Sequence, residues 1–205
     1  MSDPSAGGPP PISNSPAAPV PPPASAYFIG EDVDPVRRAT LAVLVDNQPG
    51  VLARVIGLFS GRGYNIESLT VSETEHEKHL SRITVVTSGT ERVLAQIKAQ
   101  LGRLVPVHTV VDLTRAAFEA GHEKPIEREL ALVKVVNSGN ARLESLRLAE
   151  SFEASVVDAT TGHFIFELTG RTRKIEQFIA ILAPLGLVEV VRTGVAALNR
   201  GAEGL

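Results

Sequence analysis

The chain has 205 residues, 43% of them apolar, and a formal net charge of −3, so it can bury a real core as one large domain or as two of about 100 residues or less. Near-neutral charge without a long run of either sign argues against nucleic-acid binding and against strong attraction to an anionic membrane. Cysteine is absent, which excludes disulfides, thiolate metal sites and cysteine nucleophiles. No apolar run approaches the ~18–20 residues that span a bilayer. The start lacks the basic-then-apolar pattern of a secretory signal. A cytoplasmic protein is expected.

Residues 1–26 hold nine of the fourteen prolines and bury too little apolar surface to offset ordering, so a disordered tail with polyproline II character is expected, reaching to about residue 37. ATLAVLVD, from Ala39, is apolar and rich in β-branched residues, and predicts a buried strand. NQPG follows, with Pro49 suited to the first turn of a helix. Val51, Leu52, Val55, Ile56, Leu58 and Phe59 then recur at helical spacing, and Gly61 and Gly63 stop the helix. YNIESLTVSE and RITVVTS predict two strands joined by polar TEHEKHLS. TERVLAQIKAQLGRL predicts a helix capped by Thr90, and PVHTVVDLT a fourth strand. This β-α-β-β-α-β order over residues 38–114 is the ferredoxin-like arrangement, an antiparallel sheet under two helices.

Charged RAAFEAGHEKPIER, closed by Pro125, reads as a linker, placed at 115–126, with one helical turn. The same order then returns more loosely. ELALVKVVN is a strand, ARLESLRLAESF a helix, EASVVDATTG and HFIFELTG a strand pair, TRKIEQFIAILAPLG a helix and LVEVVRTG a last strand. The expected fold class is therefore α+β, two ferredoxin-like βαββαβ modules, the second spanning 127–201. Residues Val195–Leu205 are expected to be weakly ordered.

No catalytic constellation emerges. His76 and His79 lie among Glu73, Glu75 and Glu77, but a mobile polar loop is a poor metal scaffold. His108, His122 and His163 have no evident partners in sequence. G-x-S-x-G and Walker A sequences are absent. Gly57, Gly61 and Gly63 fall within and after a helix, where a dinucleotide loop would link a strand to a helix start. The acidic residues form no obvious pair for acid–base work.

One stretch offers a ligand site. In DNQPGVLA the free amides of a helix start converge where the chain turns, and such a terminus attracts carboxylates. Gly50 leaves room for close approach, and Asn47 offers a donor and an acceptor. The same residues also suit a plain turn and cap, and spacing alone does not decide. Asn65, in GYNIESL, is a second candidate that suits either a ligand or a turn, and Ile66 beside it suits a core or an interface.

Together, DNQPGVLARVIGLFSGRGYNIESLTV and LSRITVVTSG resemble the ACT domain of the acetolactate (acetohydroxyacid) synthase regulatory subunits. The pattern N-x-x-G-x-L-x-R-V-x-x-L-F-S-x-R-G-Y-N-I-E-S-L is far more specific than a generic ACT signature. ERELALVKV, VVDAT and VVRTGVAALNRG resemble the C-terminal domain of the same family. The resemblance covers about residues 38–201, and the proline-rich tail departs from it. It implies a non-catalytic subunit that activates a large catalytic subunit and inhibits it on binding L-valine. It further implies a homodimer through the ACT domain, with valine held by Asn47, Gly50, Val51 and Leu52 of one chain and Asn65 and Ile66 of the other. Thiamine diphosphate, a divalent metal (magnesium) and FAD are implied for the catalytic partner alone, with no cofactor on this chain. A stand-alone amino-acid sensor acting on another partner is the alternative.

Overall fold

The structure is a computed structural model that describes residues 34–75, 79–122, 124–202 and 204–205. The proline-rich stretch 1–26 lies outside them. So do His76, Glu77 and Glu123.

Residues from Asp34 to Leu205 form one compact unit built from two sheets. The first module runs β1 (Arg37–Asp46), α1 (Val51–Arg62), β2 (Ser68–Glu75), β3 (Leu80–Gly89), α2 (Glu91–Leu101) and β4 (Val107–Asp112). Its sheet order is β2-β3-β1-β4, with every neighbour antiparallel. The second runs β5 (Ile126–Val136), α4 (Gly139–Ser151), β6 (Ser155–Ala159), β7 (His163–Gly170), α5 (Thr172–Leu182) and β8 (Leu187–Arg192), in the order β6-β7-β5-β8. Both are the expected ferredoxin-like modules. Among the described residues no helix is long and apolar enough to cross a membrane.

Alternation along β1 explains its nearly continuous apolar sequence. Ala39, Leu41, Val43 and Val45 face Val51, Val55 and Phe59 of α1 and Leu94, Ile97 and Leu101 of α2 in one core. Ala42 points the other way, into a smaller buried cluster with Val86, Leu113, Val195 and Ala197. Both faces of β1 are thus dry, as period-2 geometry requires of an unbroken apolar run. In the second module Ala131, Val133 and Val135 pack on Phe164, Phe166 and Leu168 of β7 and on Ile175, Phe178 and Leu182 of α5. Its helix α4 contributes small buried residues, Ser145 and Ala149.

Three sequence expectations are corrected. Pro49 is not in the first turn of α1: the helix starts at Val51, with Gly50 as its N-cap. The supposed linker contains a helix, α3 (Leu113–Glu119), which seals Leu113 and Ala117 against the sheet. The supposed loose tail contains a strand, β9 (Ala196–Leu198), paired antiparallel with Ile126–Arg128 of β5.

Asp112 makes the first of these unexpected elements. Its Oδ1 accepts from the Arg115 amide at 3.0 Å, capping α3, while its Oδ2 accepts from Arg37 Nη2 at 2.8 Å. The residue is 6% exposed. A lost cap costs ~1 kcal/mol and a lost bond to a charged group ~1.5–3. Asp112→Ala is therefore expected to lower the unfolding free energy by about 3 kcal/mol in urea, with Asp112→Asn retaining more stability because it keeps the cap. Equal losses from the two substitutions would contradict this account.

Candidate functional site

The β1–α1 turn is tied down at its first residue and left open at its last. The Asn47 amide donates to the His79 carbonyl at 2.6 Å, and the Gln48 amide to Asp46 at 3.0 Å. Gly50 then adopts φ +84°, the left-handed region that a side chain disfavours. A Cβ built there meets nothing within 4 Å. No side chain caps α1. The helix therefore presents an uncapped, positively polarised start across an open Gly50 face. Arg54 is the first residue to bond back to the Gly50 carbonyl, at 3.1 Å.

The candidate residues do not contribute alike. Val51 is 5% exposed and belongs to the core, and its amide donates to the Gln48 carbonyl at 3.4 Å, whereas the Leu52 side chain is exposed. Asn47 is also exposed. Of the two histidines set aside as metal ligands, His79 serves the turn through its carbonyl, and His76 is outside the described residues. Sequence reading missed that role of His79, and nothing in residue type signals a backbone acceptor.

Asn65 and Ile66 lie elsewhere. They sit between the end of α1 and β2, where Thr87 Oγ1 donates to the Asn65 carbonyl at 2.6 Å. Ile66 is half-buried against the first core. Thr87 pairs with Ala39, near the beginning of β1, whereas Asn47 follows the end of that strand. Eight strand residues separate these levels, about 26 Å at ~3.3 Å per residue. The structure thus gathers Asn47, Gly50, Val51 and Leu52 at one end of the first sheet, and Asn65 and Ile66 at the other. A single chain does not bring the two groups together around one small ligand.

A cleft of about 940 Å³ opens between the modules, lined by none of these six residues. Much of its charge is already matched. Arg192 holds the Glu129 carboxylate with two bonds of 2.6 and 2.8 Å, and Arg38 meets Glu127 at 3.1 Å. The Glu129 carboxylate keeps the Arg192 guanidinium above its ordinary range, outweighing partial burial. Arg38–Glu127 ties one module to the other, whereas Arg192–Glu129 lies within the second. Among the described residues no group of three or more His, Cys, Asp or Glu side chains is placed to hold a metal ion.

Two protein families match the chain. The AHAS small subunit-like ACT domain matches residues 41–109, and the small subunit of acetolactate synthase matches residues 128–201. The chain is 43% identical over 162 residues to the probable acetolactate synthase small subunit of Archaeoglobus fulgidus, covering 79% of this chain and 96% of that protein. It is 44% identical over 165 residues to the acetolactate synthase isozyme 3 small subunit of Escherichia coli, covering 80% and 96%. A crystal structure of the acetolactate synthase small subunit from Thermotoga maritima superposes with a TM-score of 0.72 at 35% identity, over 82% of this chain and 99% of that one. The chain belongs to the acetolactate synthase small-subunit family.

Proposed function

We propose that this chain is a non-catalytic, cytoplasmic regulatory subunit. It activates a separate acetolactate synthase catalytic subunit and inhibits it when L-valine binds. Relatives named as small subunits of that enzyme support the pairing. Thiamine diphosphate, magnesium and FAD belong to the partner, which condenses two 2-oxo acids.

The observation that carries the effector reading is the open, uncapped turn at Gly50. Its amides suit the carboxylate of a zwitterion, and Asn47 supplies an acceptor for the ammonium group. The distance between this turn and Asn65 supports a pocket shared by two chains. In that homodimer Asn47–Leu52 of one protomer faces Asn65 and Ile66 of its partner. Edge strand β2 carries one sheet neighbour only, so its free backbone groups are available for pairing between protomers. An apolar pocket separates branched side chains by only ~1–3 kcal/mol per methylene, so leucine and isoleucine bind more weakly without being excluded.

The direct test is acetolactate formation by the cognate catalytic subunit, alone, with this chain, and with valine titrated in. Stimulation that valine suppresses is expected, with a coupling of about 1–3 kcal/mol. An unchanged rate at saturating subunit would instead favour a sensor that serves another partner.

A further inference from the structure

The motif VVRTGVAALNRG holds a segment that the effector pocket leaves unexplained. After β8 the chain turns at Gly194 and runs through Val195 into β9 across the outer face of the first sheet. The Val195 amide donates to Ser68 Oγ at 2.9 Å, and Arg82 Nη2 donates to the Ala197 carbonyl at 2.7 Å. Val195 and Ala197 are buried against Ala42 and Val86. Glu127, which pairs with Ala197 in the second module, accepts from Thr40 Oγ1.

The Ser68 and Thr40 contacts fall on one row of the sheet, with Ala42 and Arg82 two and four residues further along their strands. Ser68 of β2 pairs with Val86 of β3, and Val86 pairs with Thr40 of β1. The row lies one residue along β3 from Thr87, whose hydroxyl holds the Asn65 carbonyl. Ser68 itself is three residues beyond Asn65, about 10 Å along the chain. Gly194 permits the close approach. It has φ +84°, and a Cβ there would meet Ser68 Oγ and Thr70 Oγ1 at 2.9 Å and the Leu69 carbonyl oxygen at 3.2 Å.

We propose that the strap Gly194–Leu198 transmits occupancy of the Asn65–Ile66 half of the effector pocket to the C-terminal module. The inference rests on the effector reading above. Strand β2 is an edge strand, held along one side by β3 and across one face by the strap. A ligand that draws on Asn65 or Ile66 therefore acts on a strand whose position the C-terminal module shares. Chains of packed side chains and hydrogen bonds of this kind can carry energetic coupling between sites.

The test uses the full chain with its catalytic subunit and two variants. Ser68→Ala removes the acceptor of the Val195 amide without adding bulk, and Gly194→Ala pushes the strap off β2. Valine affinity is measured by calorimetry on the regulatory chain, and activation and residual activity at saturating valine are measured on the complex. In both variants valine affinity is expected within about threefold of the parent and activation within about twofold, with residual activity at saturating valine raised at least about threefold. Undiminished maximal inhibition in Ser68→Ala overturns the proposal. So does a loss of inhibition that merely follows a loss of valine binding, because the strap would then only hold the pocket together. A parent chain that binds no valine overturns the effector reading itself, and the first titration reveals this before any variant is made.

Discussion

Gly50→Asp is expected to abolish inhibition by valine while leaving activation of the catalytic subunit intact. Gly50 sits at φ +84° as the N-cap of α1, no side chain caps the helix, and a Cβ on this residue would meet nothing within 4 Å. Aspartate is among the few residues that visit the left-handed region and is also a favoured cap. Its carboxylate would reach the free amides of the first turn, the donors assigned to the carboxylate of valine. The two anions then compete for one positively polarised helix start. Gly50→Ala is the control, since it shares the backbone strain without bringing an anion. The valine concentration for half-inhibition should rise more than about tenfold in Gly50→Asp, equivalent to ~1.4 kcal/mol, and much less in Gly50→Ala. Full valine sensitivity in Gly50→Asp would place the pocket elsewhere.

Much of this fold was legible because its elements carry strong local signals. ATLAVLV reads as a strand dry on both faces, and Val51, Val55 and Phe59 recur at i, i+4 and i+8 to mark the buried side of α1. Gly63 ends that helix at φ +68°, with the Tyr64 amide closing on the Phe59 carbonyl at 3.0 Å. The missed elements lack such signals. Helix α3 spans only seven residues and buries two, too few for a visible period. It exists because Leu113 and Ala117 meet the sheet and Asp112 caps it, both tertiary facts. Strand β9 is three residues long and two of them are alanine, a poor strand former, and its register comes from β5. The turn at Asn47–Leu52 was legible as a candidate. Its separation from Asn65 was not, because only strand register places those residues at opposite ends of the sheet.

Gly186 and Gly50 share a left-handed conformation, yet their substitutions should differ sharply. Gly186 has φ +93° and precedes β8, and a Cβ there would lie 2.2 Å from the Val136 carbonyl oxygen. That carbonyl belongs to backbone that cannot swing aside as a side-chain tip can. The Val136 amide also donates to the Gly186 carbonyl at 2.8 Å, and Asn137 Nδ2 donates to the neighbouring Leu185 carbonyl at 2.8 Å. Displacing β5 from this turn would therefore loosen a hydrogen-bonded corner of the second core. Left-handed strain costs ~1–2 kcal/mol and overpacking a further ~1–3. Gly186→Ala should thus lower the unfolding free energy by about 3 kcal/mol or more. Gly50→Ala meets no atom and should cost only the strain, about 1 kcal/mol. Urea midpoints for the two variants measure the difference. Equal losses would mean that the crowding at Val136 relaxes freely. A large loss at Gly186 alone would mark it as a packing glycine and Gly50 as one required by its left-handed backbone alone.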